Sequence, residues 1–208
     1  NKYEHKVIVT GNIIREEILN FKKTNRFNSE ILNILVLGGS QAAKSFGELL
    51  PRVFEQCIEK NIKIRIFQQC NESQTIKLNK IYKNLNFNFE LFNFTNNILE
   101  YFSKTELVIT RSGSSVTAEL INCNIPFICI PYPHASDSHQ DKNATYFEKK
   151  GYSLSVKEVE VEERLFPLIE SFYKNKNLLD IMIEKQKKYS DKEVYLKINR
   201  VIENLKNE

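Results

Sequence analysis

Three short polar or glycine-rich stretches follow apolar runs and precede helical patterns, at residues 38–41, 111–115 and 131–134. They read Gly-Gly-Ser-Gln, Arg-Ser-Gly-Ser-Ser and Pro-Tyr-Pro-His. In open α/β sheets, ligands bind beyond the carboxyl ends of the strands, where such loops meet. The backbone N–H groups of helix N-termini at that edge suit a phosphate or a pyrophosphate. These residues therefore predict a nucleotide site.

The second stretch combines a cation with a helix N-terminus. Arg111 closes a strand, and Gly113, Ser114 and Ser115 open the next helix. A guanidinium and several N–H donors would then converge on one anion. Glu119 lies in the first turns of the same helix, where its carboxylate can accept from both hydroxyls of a ribose. The alternative is a surface glutamate that the helix dipole favours.

The first stretch has three interpretations. Its glycines permit a tight turn and close approach to a ligand, and Ser40 can cap the helix or bond a phosphate oxygen. A plain strand-to-helix turn is the simpler interpretation. A P-loop is a third, because residues 38–45 match its pattern except for Ala43 at the second glycine. No later strand ends in the apolar run and aspartate that hold magnesium in such enzymes, which disfavours the P-loop.

The third stretch suits a sugar. Residues 131–134 and 139–143 are dense in hydrogen-bonding side chains, and the amide of Gln140 can both donate and accept. The alternative is a polar loop in which Ser138 caps a helix. His134 and His139 have only two nearby aspartates, so we predict no metal site.

The composition is that of an ordinary globular protein, with 208 residues, 41% apolar and 27% charged. The net charge of +4 comes without a basic block, so no nucleic-acid partner is predicted. No apolar run is long enough to span a membrane, which leaves peripheral association. The chain begins at Asn1 and its only methionine is Met182, which indicates that part of the protein is missing upstream. Cysteines 57, 70, 123 and 129 form no C-x-x-C pair and are predicted to be reduced core residues.

Strand and helix patterns alternate along most of the chain, which predicts a Rossmann-like α/β fold with a mainly parallel sheet and helices on both faces. Pro51 should kink or divide its helix. From residue 160 onward the pattern is helical only, with breaks at Pro167 and 175–177. The last stretch is charged and carries a narrow apolar stripe (Val194, Ile198, Val201 and Leu205). Strands are predicted at 6–10, 32–37, 62–69, 87–92, 106–110, 126–131 and 152–156, and helices at 42–60, 73–84, 96–104, 114–122 and 139–150.

Four motifs resemble the MurG family of bacterial peptidoglycan glycosyltransferases over residues 10–151. They are Thr-Gly-Asn-Ile-Ile-Arg at 10–15, Leu-Gly-Gly-Ser-Gln-Ala-Ala at 37–43, Thr-Arg-Ser-Gly at 110–113 with Glu119, and His-Gln at 139–140 with Asn143. They occur in the family's order and close to its spacing. The chain departs from the family at Ile13, where proline is usual, at Ala42, where glycine is usual, and at Asn96 and Asn97, where acidic residues are usual.

The resemblance implies an inverting, metal-independent GT-B enzyme without a cofactor, whose C-terminal half binds UDP-N-acetylglucosamine. Such an enzyme transfers N-acetylglucosamine to lipid I, giving lipid II, as a peripheral protein at the cytoplasmic face of the bacterial inner membrane. Residues 1–20 would be the hinge strand, 21–186 the donor-binding domain, and 187–208 a helix packing back toward an N-terminal domain. That missing domain would supply the catalytic base and the lipid I and membrane contacts, so the chain alone would be inactive.

The resemblance also implies roles for individual residues. Arg15 and Ser40 would contact the donor's phosphates. Thr95 would contact the uracil through its backbone, and Gln140 would contact the sugar hydroxyls. Glu119 would hold the ribose. The phosphates would also lie against Ser114, Ser115, Val116, Thr117 and Ala118, with Arg111, His139 and Asn143 completing the substrate-binding set. Another UDP-sugar GT-B transferase or epimerase, and a binding subunit of a split transferase, remain alternatives.

Overall fold

Six short apolar runs form one parallel sheet in the computed structural model, which describes residues 6–23 and 30–206, without the side chains of 40–43 and 206. The strand order is β3-β2-β1-β4-β5-β6. The order reverses between β1 and β4, and such a reversal opens a crevice at the carboxyl edge of a sheet. The strands are β1 (Leu32–Leu37), β2 (Ile64–Gln69), β3 (Asn88–Phe92), β4 (Leu107–Thr110), β5 (Phe127–Cys129) and β6 (Ser153–Ser155).

Helices cover both faces of the sheet, as the near-continuous apolar strands require. All residues of β1 are buried, and alternate side chains enter two different core clusters: Ile34 and Val36 on one face, Leu35 and Leu37 on the other. The predicted α/β fold is confirmed. The helices are α1 (Glu16–Leu19), α2 (Gly39–Glu59), α3 (Glu72–Leu85), α4 (Ile98–Lys104), α5 (Ser114–Asn122), α6 (His139–Lys150), α7 (Val161–Lys174), α8 (Asn177–Gln186) and α9 (Val194–Lys206).

Two prolines lie inside helices without dividing them. Pro51 is in α2 and Pro167 is in α7, so the predicted break at Pro167 is wrong. A proline costs its helix one backbone hydrogen bond. In α7 that cost is offset because Val161, Leu165 and Ile169 are buried along one side of the helix. The predicted break at 175–177 is confirmed, since it separates α7 from α8.

The predicted strand at 6–10 is absent from the described structure. Residues 7–10 run without regular secondary structure, and Val7, Ile8 and Val9 are 65%, 62% and 89% exposed. A strand requires a neighbouring strand to accept its backbone hydrogen bonds. None of the described strands pairs with this segment. The apolar residues therefore remain uncovered.

The last helix, α9, is anchored only at its beginning. Val194 is buried, Ile198 and Val201 are half-buried, and Leu205 is 67% exposed. The apolar stripe predicted from the sequence is thus present on the helix, and its burial decreases from Val194 to Leu205. No helix in the described part of the chain is long and apolar enough to cross a membrane.

All four cysteines are buried as free thiols. Burial is the main cause that raises the pKa of Cys57, Cys123 and Cys129 to about 12. The thiolate is the reactive form, and it is nearly absent from these sites at pH 8. We expect Ellman's reagent to label none of the four thiols of the native protein within minutes at pH 8, and all four in guanidinium chloride. A thiol of the native protein that reacts rapidly would contradict this expectation.

Candidate functional site

A cleft of about 440 Å³ opens at the carboxyl edge of the sheet. The last residues of four strands line it: Leu37 of β1, Gln69 of β2, Phe92 of β3 and Thr110 of β4. Since β1 and β4 are the neighbours at which the strand order reverses, the cleft lies at the position predicted for a ligand.

The N-terminus of α5 opens into this cleft. Gly113 precedes the helix in an extended conformation and offers no side chain to cap it. The N-terminal N–H groups of a helix lack partners within the helix, and the helix dipole adds partial positive charge there. Ser114 and Ser115 are exposed beside this end, and Val116 lines the cleft.

Two residues of the predicted phosphate-binding stretch turn away from the cleft. The Thr117 hydroxyl is buried and donates to the carbonyl of Gly113 at 2.7 Å. Ala118 is 2% exposed and packs in the core cluster on this face of the sheet. Their side chains therefore support the helix.

Arg15 and Glu119, which lie far apart in the sequence, meet at the cleft. Arg15 Nη2 lies 3.1 Å from Glu119 Oε1, and Arg15 Nη1 lies 2.8 Å from Glu17. Both Arg15 and Glu119 line the cleft. The pair places one cation and one carboxylate in the cleft that Gly113 also lines, so the cleft offers a phosphate contact and a hydroxyl acceptor side by side.

Arg111 lines the cleft, but the ends of its guanidinium are engaged inside the protein. Nη1 donates to the carbonyls of Ile130 and Pro131, both at 3.0 Å, and Nη2 donates to Ser45 Oγ at 2.6 Å and to Glu158. The side chain is only 6% exposed. Arg111 thus joins α2, the loop after β5 and the segment before α7.

Aromatic rings complete the environment of Arg111. Its guanidinium carbon lies 4.5 Å from the ring centroid of Phe46 and 5.4 Å from that of Tyr132. Tyr132 itself lines the cleft. Arg111 therefore supports the wall of the cleft. Ser45 and Glu158 share this role through their bonds to Arg111, and nothing in their sequence positions indicated it.

Helix α6, which follows the loop after β5, brings Gln140 to the cleft. Gln140 Oε1 accepts from the backbone N–H of Tyr132 at 3.0 Å. Asn143 and His139, also in α6, bond to backbone carbonyls outside that helix: Asn143 Nδ2 donates to the carbonyl of Ser112 at 2.9 Å, and His139 Nδ1 lies 2.8 Å from the carbonyl of Ser136. Neither of the two lines the cleft.

Two further points concern residues that the sequence singled out. The Ser138 side chain makes no cap bond to α6, so the interpretation of Ser138 as a capping residue is wrong. Ser40 lies in the first turn of α2, and its side chain is outside the described part of the structure. Among the described residues, no group of three or more histidines, cysteines, aspartates and glutamates is placed to hold a metal ion.

Thr95, on the segment that follows β3, lines the cleft. Its Oγ1 accepts from the backbone N–H of Asn97 at 3.0 Å. Phe94 beside it also lines the cleft and is 76% exposed. Exposed aromatic rings at a cleft are available to stack on a planar ligand.

Comparisons with known proteins agree with this geometry. Residues 33–198 match the family model described as Glycosyltransferase family 28 C-terminal domain. A UDP-N-acetylglucosamine--N-acetylmuramyl-(pentapeptide) pyrophosphoryl-undecaprenol N-acetylglucosamine transferase of Pelagibacter ubique is 35% identical over 163 residues, covering 78% of this chain and 45% of that protein. The transferase of the same name from Campylobacter hominis is 33% identical over 189 residues, covering 90% of this chain and 53% of that protein.

Solved structures give the same result. The crystal structure of MurG from Acinetobacter baumannii superposes with a TM-score of 0.76 at 25% identity, covering 86% of this chain and 51% of that one. A UDP co-structure of MnaA from S. aureus shares the fold, with a TM-score of 0.65 at 13% identity, over 100% of this chain and 56% of the other. The chain spans about half the length of the curated relatives that it matches.

Proposed function

The chain belongs to the glycosyltransferase family 28 C-terminal domain family, and from that premise we propose that it is the donor-binding half of a transferase that uses UDP-N-acetylglucosamine. The observation that carries the proposal is the cleft itself. It lies at the reversal of strand order, and it combines the uncapped N-terminus of α5 with the Arg15–Glu119 pair. The helix N-terminus and Arg15 suit a diphosphate, and Glu119 suits the hydroxyls of a ribose.

The diphosphate would lie against the N-terminus of α5, at Gly113, Ser114 and Ser115. Backbone N–H groups and the helix dipole favour an anion there. Arg15 is 51% exposed in its side chain, so it is free to turn from Glu119 toward the phosphates. In a transfer reaction negative charge develops on the departing UDP, and donors that are already oriented stabilise it without reorganisation.

The rest of the donor would occupy the two ends of the cleft. Glu119 would accept hydrogen bonds from the ribose hydroxyls, and the backbone at Thr95 would meet the uracil, with the Phe94 ring beside it. The Gln140 amide would bond the sugar hydroxyls, since Tyr132 already fixes the orientation of its oxygen.

The complete activity would be transfer of N-acetylglucosamine to an undecaprenyl-linked muramyl pentapeptide, as the names of the relatives state for those proteins. The acceptor site, the base and any contact with the cytoplasmic membrane face would belong to the other half of such a protein. The exposed apolar residues of the segment at 7–9 and of α9 are suited to pack against that half. In this arrangement residues 1–20 would form the hinge, residues 21–186 the donor-binding domain, and residues 187–208 the helix that packs back toward the other half. Leu196 and Leu205 of α9 are 56% and 67% exposed.

Calorimetric titration of the chain with UDP-N-acetylglucosamine tests the proposal. We expect saturable binding without added metal, and weaker binding of UDP-glucose, because the polar groups around Gln140 would contact the sugar. ATP with magnesium is the control for the P-loop interpretation and should not bind. A folded chain that binds none of the three, or that prefers ATP, would contradict the proposal.

A further inference from the structure

Asp191 is a carboxylate that is buried outside the cleft, just before α9. It is 2% exposed, and three neutral groups donate to it. The backbone N–H of Asn12 and the Tyr189 hydroxyl donate to Oδ1 at 3.0 and 2.9 Å, and Asn122 Nδ2 donates to Oδ2 at 2.8 Å. A buried charge is costly unless such hydrogen bonds are made, so it holds its partners firmly in place.

Two further bonds close the network. Asn12 Nδ2 donates to the Tyr189 hydroxyl at 3.1 Å, and the backbone N–H of Asp191 donates to Asn122 Oδ1 at 3.0 Å. Burial and then the bond to Asp191 raise the pKa of Tyr189 to about 12, so its hydroxyl keeps its proton at neutral pH. We call Asn12, Asn122, Tyr189 and Asp191 the Asp191 hub. It joins the N-terminal segment, the end of α5 and the start of the last helix.

Gly11 permits the close approach on which the hub depends. Its φ is +107°, in the region that favours glycine, and a Cβ there would stand 2.6 Å from Asp191 Oδ1 and 2.7 Å from Val194 Cγ2. Any side chain at this position would push the N-terminal segment away from Asp191.

The same segment runs from the hub to the cleft along α5. Ile14 and Ile18 are buried in one core cluster with Ile121, and the Cys123 thiol lies 3.7 Å from the carbonyl oxygen of Ile18. Arg15, between Ile14 and Ile18, reaches Glu119 at the cleft. The segment is therefore fixed at the C-terminal end of α5 by the hub, and Arg15 follows only three residues after Asn12.

We propose that Asp191 is a positioning residue for the nucleotide cleft: by holding the backbone at Asn12, it places Arg15 beside Glu119. The inference rests on the proposed function, because Arg15 matters there as a contact to the diphosphate. Asp191 touches no part of the cleft itself. Its effect on a ligand would pass through Arg15.

Affinity for UDP, measured by calorimetry, tests this route. The Asp191→Asn variant loses an acceptor of the Asn122 amide, and we expect it to bind UDP about three- to tenfold more weakly. In an Arg15→Ala background the same change should have no further effect, because the residue through which it acts is gone. Affinity losses that add in the double variant, or a folded Asp191→Asn variant with unchanged affinity, would overturn the inference.

A matched pair of tyrosine variants separates positioning from general stability. Tyr189→Phe removes the hydroxyl that joins Asn12 to Asp191, whereas Tyr82→Phe removes a buried hydroxyl that donates to Gln68 on the other face of the sheet. Both variants lose a hydroxyl hydrogen bond, which is buried at Tyr82 and partly buried at Tyr189. Only Tyr189→Phe should weaken UDP binding, and equal losses in the two variants would count against positioning.

Amide hydrogen exchange of the ligand-free chain gives a readout that does not need a nucleotide. Asp191→Asn should lower the protection of the amides at Asn12 and at 18–20, while those of β1 keep theirs. Unchanged protection in the segment would overturn the inference. If the unaltered chain failed to bind UDP, the proposed function would fail, and exchange would still decide whether Asp191 holds the segment.

Discussion

Replacing Glu119 by alanine is expected to weaken the binding of UDP-N-acetylglucosamine by about 10- to 100-fold, because hydrogen bonds to a charged group contribute about 1.5–3 kcal/mol. The carboxylate lines the cleft and is 20% exposed, so water competes only partly for it. Calorimetric titration of the variant against the unaltered chain measures the effect. A change below twofold would mean that Glu119 is only a surface residue.

Glu119 also pairs with Arg15 in the ligand-free chain, and the Glu119→Gln variant separates the two effects. Glutamine keeps the shape and an acceptor oxygen but loses the charge, so its affinity should fall between those of the unaltered chain and Glu119→Ala. Glu72→Ala is a suitable control, since Glu72 is a glutamate of another helix, α3, and does not line the cleft. It should leave the affinity unchanged.

The second large effect concerns stability. Arg111→Met should lower the free energy of unfolding by about 3 kcal/mol, the lower end of the range for removing one partner of a buried ion pair. Glu158 would lose its cation, and the carbonyls of Ile130 and Pro131 would lose their donor. Urea unfolding followed by circular dichroism measures the change.

An exposed arginine provides the matched control. Arg52 pairs with Glu162 at 2.9 Å, but the two side chains are 70% and 45% exposed. Exposed pairs contribute about 0–1 kcal/mol, so Arg52→Met should have a small effect. If the two arginine variants lost equal stability, the buried network around Arg111 would not be what holds the wall of the cleft.

The sheet and the position of the cleft could be predicted from the sequence because both depend on local patterns. Near-continuous apolar runs such as Leu32–Leu37 mark strands that are covered on both faces, and loops after parallel strands must meet at one edge. The membership of Arg15, Glu119 and Gln140 in one cleft follows from the same reasoning together with the family motifs.

Side-chain directions could not be predicted in the same way. Arg111 was expected to face an anion, yet its guanidinium bonds to Ser45 and Glu158, which are distant in sequence. The strand expected at 6–10 is absent for a related reason: an apolar run forms a strand only where a neighbour accepts its hydrogen bonds. Both outcomes depend on long-range partners, which periodicity does not reveal.

Helix α5 is nine residues long and carries the cleft at its beginning and the Asp191 hub at its end. Such a helix is about 13 Å long. Coupling free energies are reciprocal. If the hub strengthens nucleotide binding, a bound nucleotide must therefore stabilise the hub by the same free energy. The segments at Asn12 and Asp191, which the hub joins to the end of α5, would then be more stable when the cleft is occupied.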